Sequence, residues 1–183
     1  MGFEIRNWYW RIAGRSEVLS SARGLFVPVS DPDYQGWLAL GHVVPEVASE
    51  DEVLAYLAER APDVVVQSPA GLVAYANAQQ WAKATGGFMM TVNGKQVMFA
   101  TTSESLALMT GKAARLQQPN PPAQVTWQIG PSTFITIAAA DFILLATAVA
   151  DFMQSTFDKL AVVLAGIAGG TITTRDQVDA AIA

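Results

Sequence analysis

His42 is the one histidine in the chain, so it is the one imidazole available as a base or a nitrogen ligand. It follows Gly41 in a segment that reads as a loop, and no serine near it has the setting of an activated nucleophile. A surface or partly buried histidine is the plainer reading. The chain has no cysteine, which excludes thiolate catalysis, disulfides and cysteine-ligated metals. Asp31-x-Asp33 opens like a calcium loop but lacks the further oxygen ligands and the closing bidentate glutamate, so it reads as helix capping. Gly111-Lys112 has the ending of a phosphate loop, yet Leu106 stands where its first glycine belongs and Ala113 replaces the magnesium-binding hydroxyl. Any two of the 16 acids can converge in a fold, and no motif singles out a pair for glycoside hydrolysis. The residues therefore predict no catalytic constellation, no cofactor and no metal, and the expectation is a chain that is not an enzyme.

Two apolar patterns carry more information. In Trp8-Tyr9-Trp10, a strand would turn Trp8 and Trp10 to one side and Tyr9 to the other. Such a ladder can be a sugar-stacking platform or an interface anchor, or it can pack a small sheet onto the helix that holds Trp37. Further on, Phe142, Leu145, Val149, Phe152, Leu160, Val163 and Ile167 keep a three/four spacing, interrupted at Thr156. That stripe serves either as an oligomer seam or as core packing against the helix over 70–84. Both readings stay open, and Trp8, Trp10, Trp37, Phe142, Leu145, Val149, Phe152, Leu160 and Val163 are the candidate partner-interface residues.

Composition bounds the partners. Of the 183 residues 51% are hydrophobic, which is too apolar for a disordered chain, and only 15% are charged against the roughly 25% usual in soluble domains. A thinly charged surface points to apolar area covered by another chain, in a homo-oligomer or a hetero-oligomer. The net charge of -5 and the lack of any Lys/Arg block argue against nucleic acid and anionic membrane. Met1 to Trp10 lacks the basic-then-apolar order of a signal peptide, so folding in a cytoplasm is expected. The most apolar window, Phe142 to Ala168, is broken by Asp151, Asp158 and Lys159, so no membrane insertion is expected.

The elements that must position these residues give an α+β chain in two modules. The first, over 1–62, is an aromatic β/α module: a strand over 3–12, short strands from Val18 to Ala22 and Leu25 to Val29, a helix capped by Asp31 with Pro32 at its first position, and a helix opened by Ser49 and Glu52 that ends before Pro62. The second, over 69–183, starts with a helix from Pro69 to Lys83 stopped at Thr85-Gly86-Gly87. It continues with a hairpin around Asn93-Gly94, a helix opened by Thr101 and Glu104, and a second hairpin around Gly130-Pro131. A long helix over about 138–168 follows, then a short one from Arg175 to Ile182 capped by Thr173 or Thr174. The second module is thus two β-hairpins packed with three helices, one of them long, and closed by the short terminal helix.

Over about residues 75–183 the sequence resembles a family of unknown biochemical activity found in tailed bacteriophages and prophages, in tail-fibre proteins or proteins encoded beside them. The resemblance is carried by Lys83-Ala84-Thr85-Gly86-Gly87-Phe88, Val92-Asn93-Gly94-Lys95, Ala100-Thr101-Thr102-Ser103-Glu104-Ser105, Val125-Thr126-Trp127, Phe134-Ile135-Thr136-Ile137 and Phe157-Asp158, taken in that order. Asn7 to Trp10, Ser20-Ser21-Ala22 and Asp31 to Tyr34 with Trp37 look like the short leader of small tail-fibre-associated proteins. Gln79-Gln80-Trp81-Ala82-Lys83 carries less charge than the end of that family's first helix. The resemblance implies no catalytic residue. It implies a structural component of a phage-like tail, located in the virion tail after assembly in the bacterial cytoplasm, with tail-fibre or baseplate proteins as partners. An assembly chaperone at the fibre tip is the alternative, and a glycan-binding module for host attachment the third.

Overall fold

The computed structural model describes residues 4–183, and the chain is mixed α+β with a β-rich N-terminal part and a long helix near the C-terminus. Its contacts divide it into two compact units. One takes in the chain up to Asn77 together with Val162–Ala183, and the other is Ala78–Ala161. The divisions fall inside two helices.

The first unit is built on a four-stranded sheet of order β3-β2-β1-β4, with β1 Tyr9–Ile12, β2 Glu17–Ser20, β3 Leu25–Pro28 and β4 Glu46–Val47. The first three strands form an antiparallel meander, and β4 lies parallel to β1. Phe3, at the start of the expected strand, lies outside the described residues. Ile5–Asn7 is a 3₁₀ turn, so the strand is shorter than the aromatic run implied. Alternation then sorts the side chains. Trp10, Ile12 and Leu19 join Val53 and Leu57 of helix α2 (Glu50–Arg60) on one face. Tyr9, Val18 and Val27 join Tyr34 and Trp37 of helix α1 (Pro32–Ala39) on the other.

The caps fix where these helices start. The Asp31 carboxylate accepts from the amides of Asp33 and Tyr34, each at 3.1 Å, with Pro32 at the first helical position. The Ser49 hydroxyl accepts from the Glu52 amide, while Glu52 reaches back one residue further than a strict capping box, to the Ala48 amide at 3.0 Å. Gly24 in the β2–β3 turn has φ +63°, and the position has no room for a side chain: a Cβ there would lie 2.1 Å from the Val65 carbonyl oxygen. The unit also contains the start of α3 (Pro69–Thr85), the end of α5 (Ala139–Ala168) and α6 (Arg175–Ile182), the last capped by a full box of Thr174 and Gln177.

The second unit is two hairpins and their helices. β5 (Phe88–Val92) and β6 (Lys95–Phe99) turn at Asn93-Gly94, where φ is +51° and +76°, the pair of values a type I′ turn needs. β7 (Gln124–Gly130) and β8 (Thr133–Ala138) form the second hairpin, with a register shift between Gln128 and Gly130. Helix α4 (Ser103–Leu116) lies between them in sequence. Its cap is Thr102, which accepts from the Ser105 amide, and not the expected Thr101. Thr101 is buried and accepts from the Gly87 amide at 3.1 Å instead. Val92, Val97, Phe99, Met109, Leu116, Val125, Ile137, Phe142, Leu145 and Val149 form one core.

Candidate functional site

The aromatic run packs internally, on both faces of the first sheet. Trp10 packs edge-on to Tyr56 of α2, with ring centroids 5.2 Å apart, while Trp8 meets Trp37 edge-on at 4.7 Å on the α1 side. Trp8, which precedes β1, also packs against the cluster that holds Trp10, so it touches both the Trp10 side and the Trp37 side of the sheet. Ser21 holds its backbone in place. Its amide donates to Ser21 Oγ at 2.8 Å, and the Ser21 hydroxyl donates to the Ile5 carbonyl at 2.6 Å. Trp37 is further closed in by Tyr9 and by His42, whose ring stacks on it at 4.6 Å and 24°. Trp10 and Trp37 are buried at 5% and 7% exposure, so neither offers a ring face to a sugar or a partner. His42, half-buried against Trp37 and Trp8, is part of this packing.

The stripe on α5 is likewise taken up internally. Phe142, Leu145 and Val149 belong to the core of the second unit, Phe152 lies 5.4 Å from the Phe88 ring, and Leu160 is half-buried. Val163 and Ile167 are buried in the first unit. A partner seam on these residues would have to take surface already used by the core. The apolar side chains that α5 leaves exposed are a different set, Leu144, Phe157 and Val162.

Polar clusters in the first unit are paired among themselves. Arg6 grips Asp63 with Nε and Nη2 at 2.8 and 2.9 Å, and Arg23 bridges Asp31 and Asp33. Each guanidinium holds its carboxylate, Asp63 and Asp31 respectively, below the usual carboxylate range, first through the hydrogen bond and then through charge. Arg175 donates from Nε to the Tyr75 hydroxyl at 3.0 Å, and that hydroxyl donates to Asp179 at 2.7 Å. Arg6, Arg23 and Arg175 line one cleft of about 330 Å³ with Asp63. Every one of these guanidinium groups already has a carboxylate, so the cleft is an ion-pair network and not a seat for an anion. In the second unit burial, and next the charge of Lys159, push the Lys83 ammonium below its ordinary value.

The second unit has a groove of about 480 Å³ between α4 and β7. Glu104, Ser105 and Leu108 form one wall, Trp127 to Gly130 the other, and Ala100 closes one end. Leu108 is 61% exposed, and Trp127 and Ile129 are half-buried. The register shift falls on this wall: Gln128 pairs with Phe134 and Gly130 with Thr133, leaving Ile129 without a cross-strand partner. Glu104 forms no ion pair among the described residues. Sequence reasoning missed this groove, because only the Gly130-Pro131 pair hinted at irregular strand geometry there.

Among the described residues no group of three or more His, Asp or Glu side chains is placed to hold a metal ion, and no helix is long and apolar enough to cross a membrane. Geometrically the chain is an α+β protein with a mixed apolar and acidic groove beside a bulged strand. Residues 67–182 match the model of a family described as Domain of unknown function (DUF4376), and the chain belongs to that family. No curated protein and no solved structure matches it.

Proposed function

We propose that this chain is a non-enzymatic structural component of a phage-like tail, docking to or forming part of the tail fibre. The observation that carries the docking half of this reading is the set of large apolar side chains left in water by the second unit: Trp81, Met89, Leu108, Phe134, Leu144 and Phe157. Scattered apolar residues are ordinary on a surface, but this many in a chain with only 15% charged residues fits a surface covered by protein. The tail half rests on the resemblance of residues 75–183 to tail-fibre-associated sequences. The partners in this reading are tail-fibre or baseplate proteins, and the location is the virion tail.

Quantitative mass spectrometry of purified particles tests it. A structural component is present in a fixed copy number per particle. Absence from mature particles together with co-purification on nascent fibre chains replaces this reading by the assembly chaperone. A monodisperse monomer that binds neither particle nor fibre chain ends both.

A further inference from the structure

We infer that the groove between α4 and β7 receives an extended segment of a partner chain, which adds as a strand to the open edge of β7 and brings a Lys or Arg side chain to Glu104. The inference rests on the docking reading above and specifies its site.

Three observations meet at the groove. β7 is hydrogen-bonded to β8 along one edge; β6 comes close to β7 without pairing to it, so among the described residues no strand is hydrogen-bonded to the other edge. An open edge is a row of unpaired amides and carbonyls, and the chemistry that satisfies it is another extended backbone. The groove wall runs along Trp127 to Gly130, enough for a segment of about four residues at roughly 3.3 Å each. An extended segment presents alternate side chains to one face, so one set enters the groove and the next points away. The entering set meets Leu108, Trp127 and Ile129, which are apolar, and Glu104, a carboxylate with no ion-pair partner among the described residues and no cation in the groove wall. Complementarity therefore selects an alternating apolar segment carrying one cation next to its apolar anchors.

The bulge gives the wall its shape. An extra residue bends the bulged strand, and here it frees Ile129 from any cross-strand neighbour on β8. Leu108, 61% exposed on the facing helix, then has an apolar counterpart across the gap.

The test is a random heptapeptide phage library selected on the full chain and counter-selected on the Leu108→Glu variant. Enriched sequences should alternate apolar and polar residues and carry Lys or Arg. A synthetic peptide of the leading sequence should bind at least about tenfold more weakly to Leu108→Glu and to Glu104→Lys. It should also slow amide exchange along Trp127 to Gly130. Both substitutions are at exposed helix positions, and thermal unfolding of each variant verifies that the fold is kept. No enriched family, acidic consensus sequences, equal affinity for the variants, or unchanged exchange on β7 overturns the inference. The two readings separate cleanly: a chain absent from particles that still binds the peptide loses the tail role and keeps the groove, whereas a particle component that fails the peptide test keeps the role and docks elsewhere.

Discussion

Gln80 of α3 donates from Nε2 to Oγ1 of Thr156 on α5 across 3.0 Å, and both side chains are buried. The Thr156 hydroxyl passes its own proton on to the Met153 carbonyl at 2.8 Å. The interruption in the apolar spacing of α5 is thus one half of an internal polar pair. A buried donor left without its acceptor costs about 1–3 kcal/mol, so Thr156→Val should lower unfolding stability by roughly that amount. Adding Gln80→Leu should recover part of the loss, because the stranded amide goes with it. Urea denaturation of the two singles and the double gives the coupling, and strictly additive losses would contradict the pairing.

Tyr75 supplies a pH-dependent signature. Burial, and then the hydrogen bond to Asp179, push its hydroxyl above the ordinary tyrosine value, outweighing the opposite pull of Arg175. A group whose folded value is raised contributes stability that is complete below the unfolded value, about 10, and is lost as pH climbs from there through the folded value. Wild-type stability should therefore fall with pH above about 10 more steeply than that of Tyr75→Phe. Equal alkaline slopes for the two proteins would show that Tyr75 titrates as it does in the unfolded chain.

Gly24 should tolerate no side chain. Its φ of +63° already strains an L-residue, and a Cβ would fall 2.1 Å from the Val65 carbonyl oxygen. Gly24→Ala should cost at least about 2 kcal/mol, from left-handed strain plus displacement of the 65–66 backbone. At Gly94 φ is +76° but a Cβ meets open space, so Gly94→Ala should cost only about 1 kcal/mol. Chemical denaturation that finds the two equal would mean the Val65 segment yields freely.

Core and surface aromatics should separate in the same assay. Trp37→Ala removes a buried indole packed by Trp8, Tyr9, Tyr34 and His42, and should cost about 3–5 kcal/mol. Leu144→Gln and Phe157→Gln, at 61% and 52% exposure, should stay within about 0.5 kcal/mol of wild type. Under the docking reading they should weaken association measured by sedimentation. A large stability loss at Leu144 or Phe157 would reassign those residues to packing.

Local signals in the sequence were strong wherever one residue's chemistry decides the outcome. Asp31-Pro32 and Asn93-Gly94 each act within four residues, and each produced the turn or cap that its side chains can hydrogen-bond or its φ values allow; of Thr173 and Thr174, the second is the cap. What escaped was set by tertiary partners. Trp8 contacts both clusters of the first unit, which an alternating strand pattern does not reveal. Thr101 looked like a cap, but Gly87 claims its hydroxyl, and Thr102 takes the role. β4, two residues long, exists only because β1 is there to pair with it. The groove could not be read because its walls come from α4 and β7, and periodicity does not say which faces will meet. The α5 stripe was legible as apolar, yet the same spacing describes a core and a seam, and only burial tells them apart.

The outer face of the β5–β6 hairpin pairs Met89 directly with Met98, both about half exposed at 50% and 48%, whereas Met109 is buried in the core. An oxidant would reach these two thioethers before that of the buried Met109. Conversion to sulfoxides would replace soft apolar groups by polar, chiral ones at the surface while sparing the interior. The backbone pairing of the hairpin does not involve the thioethers, so the change falls on the apolar character of its outer face alone.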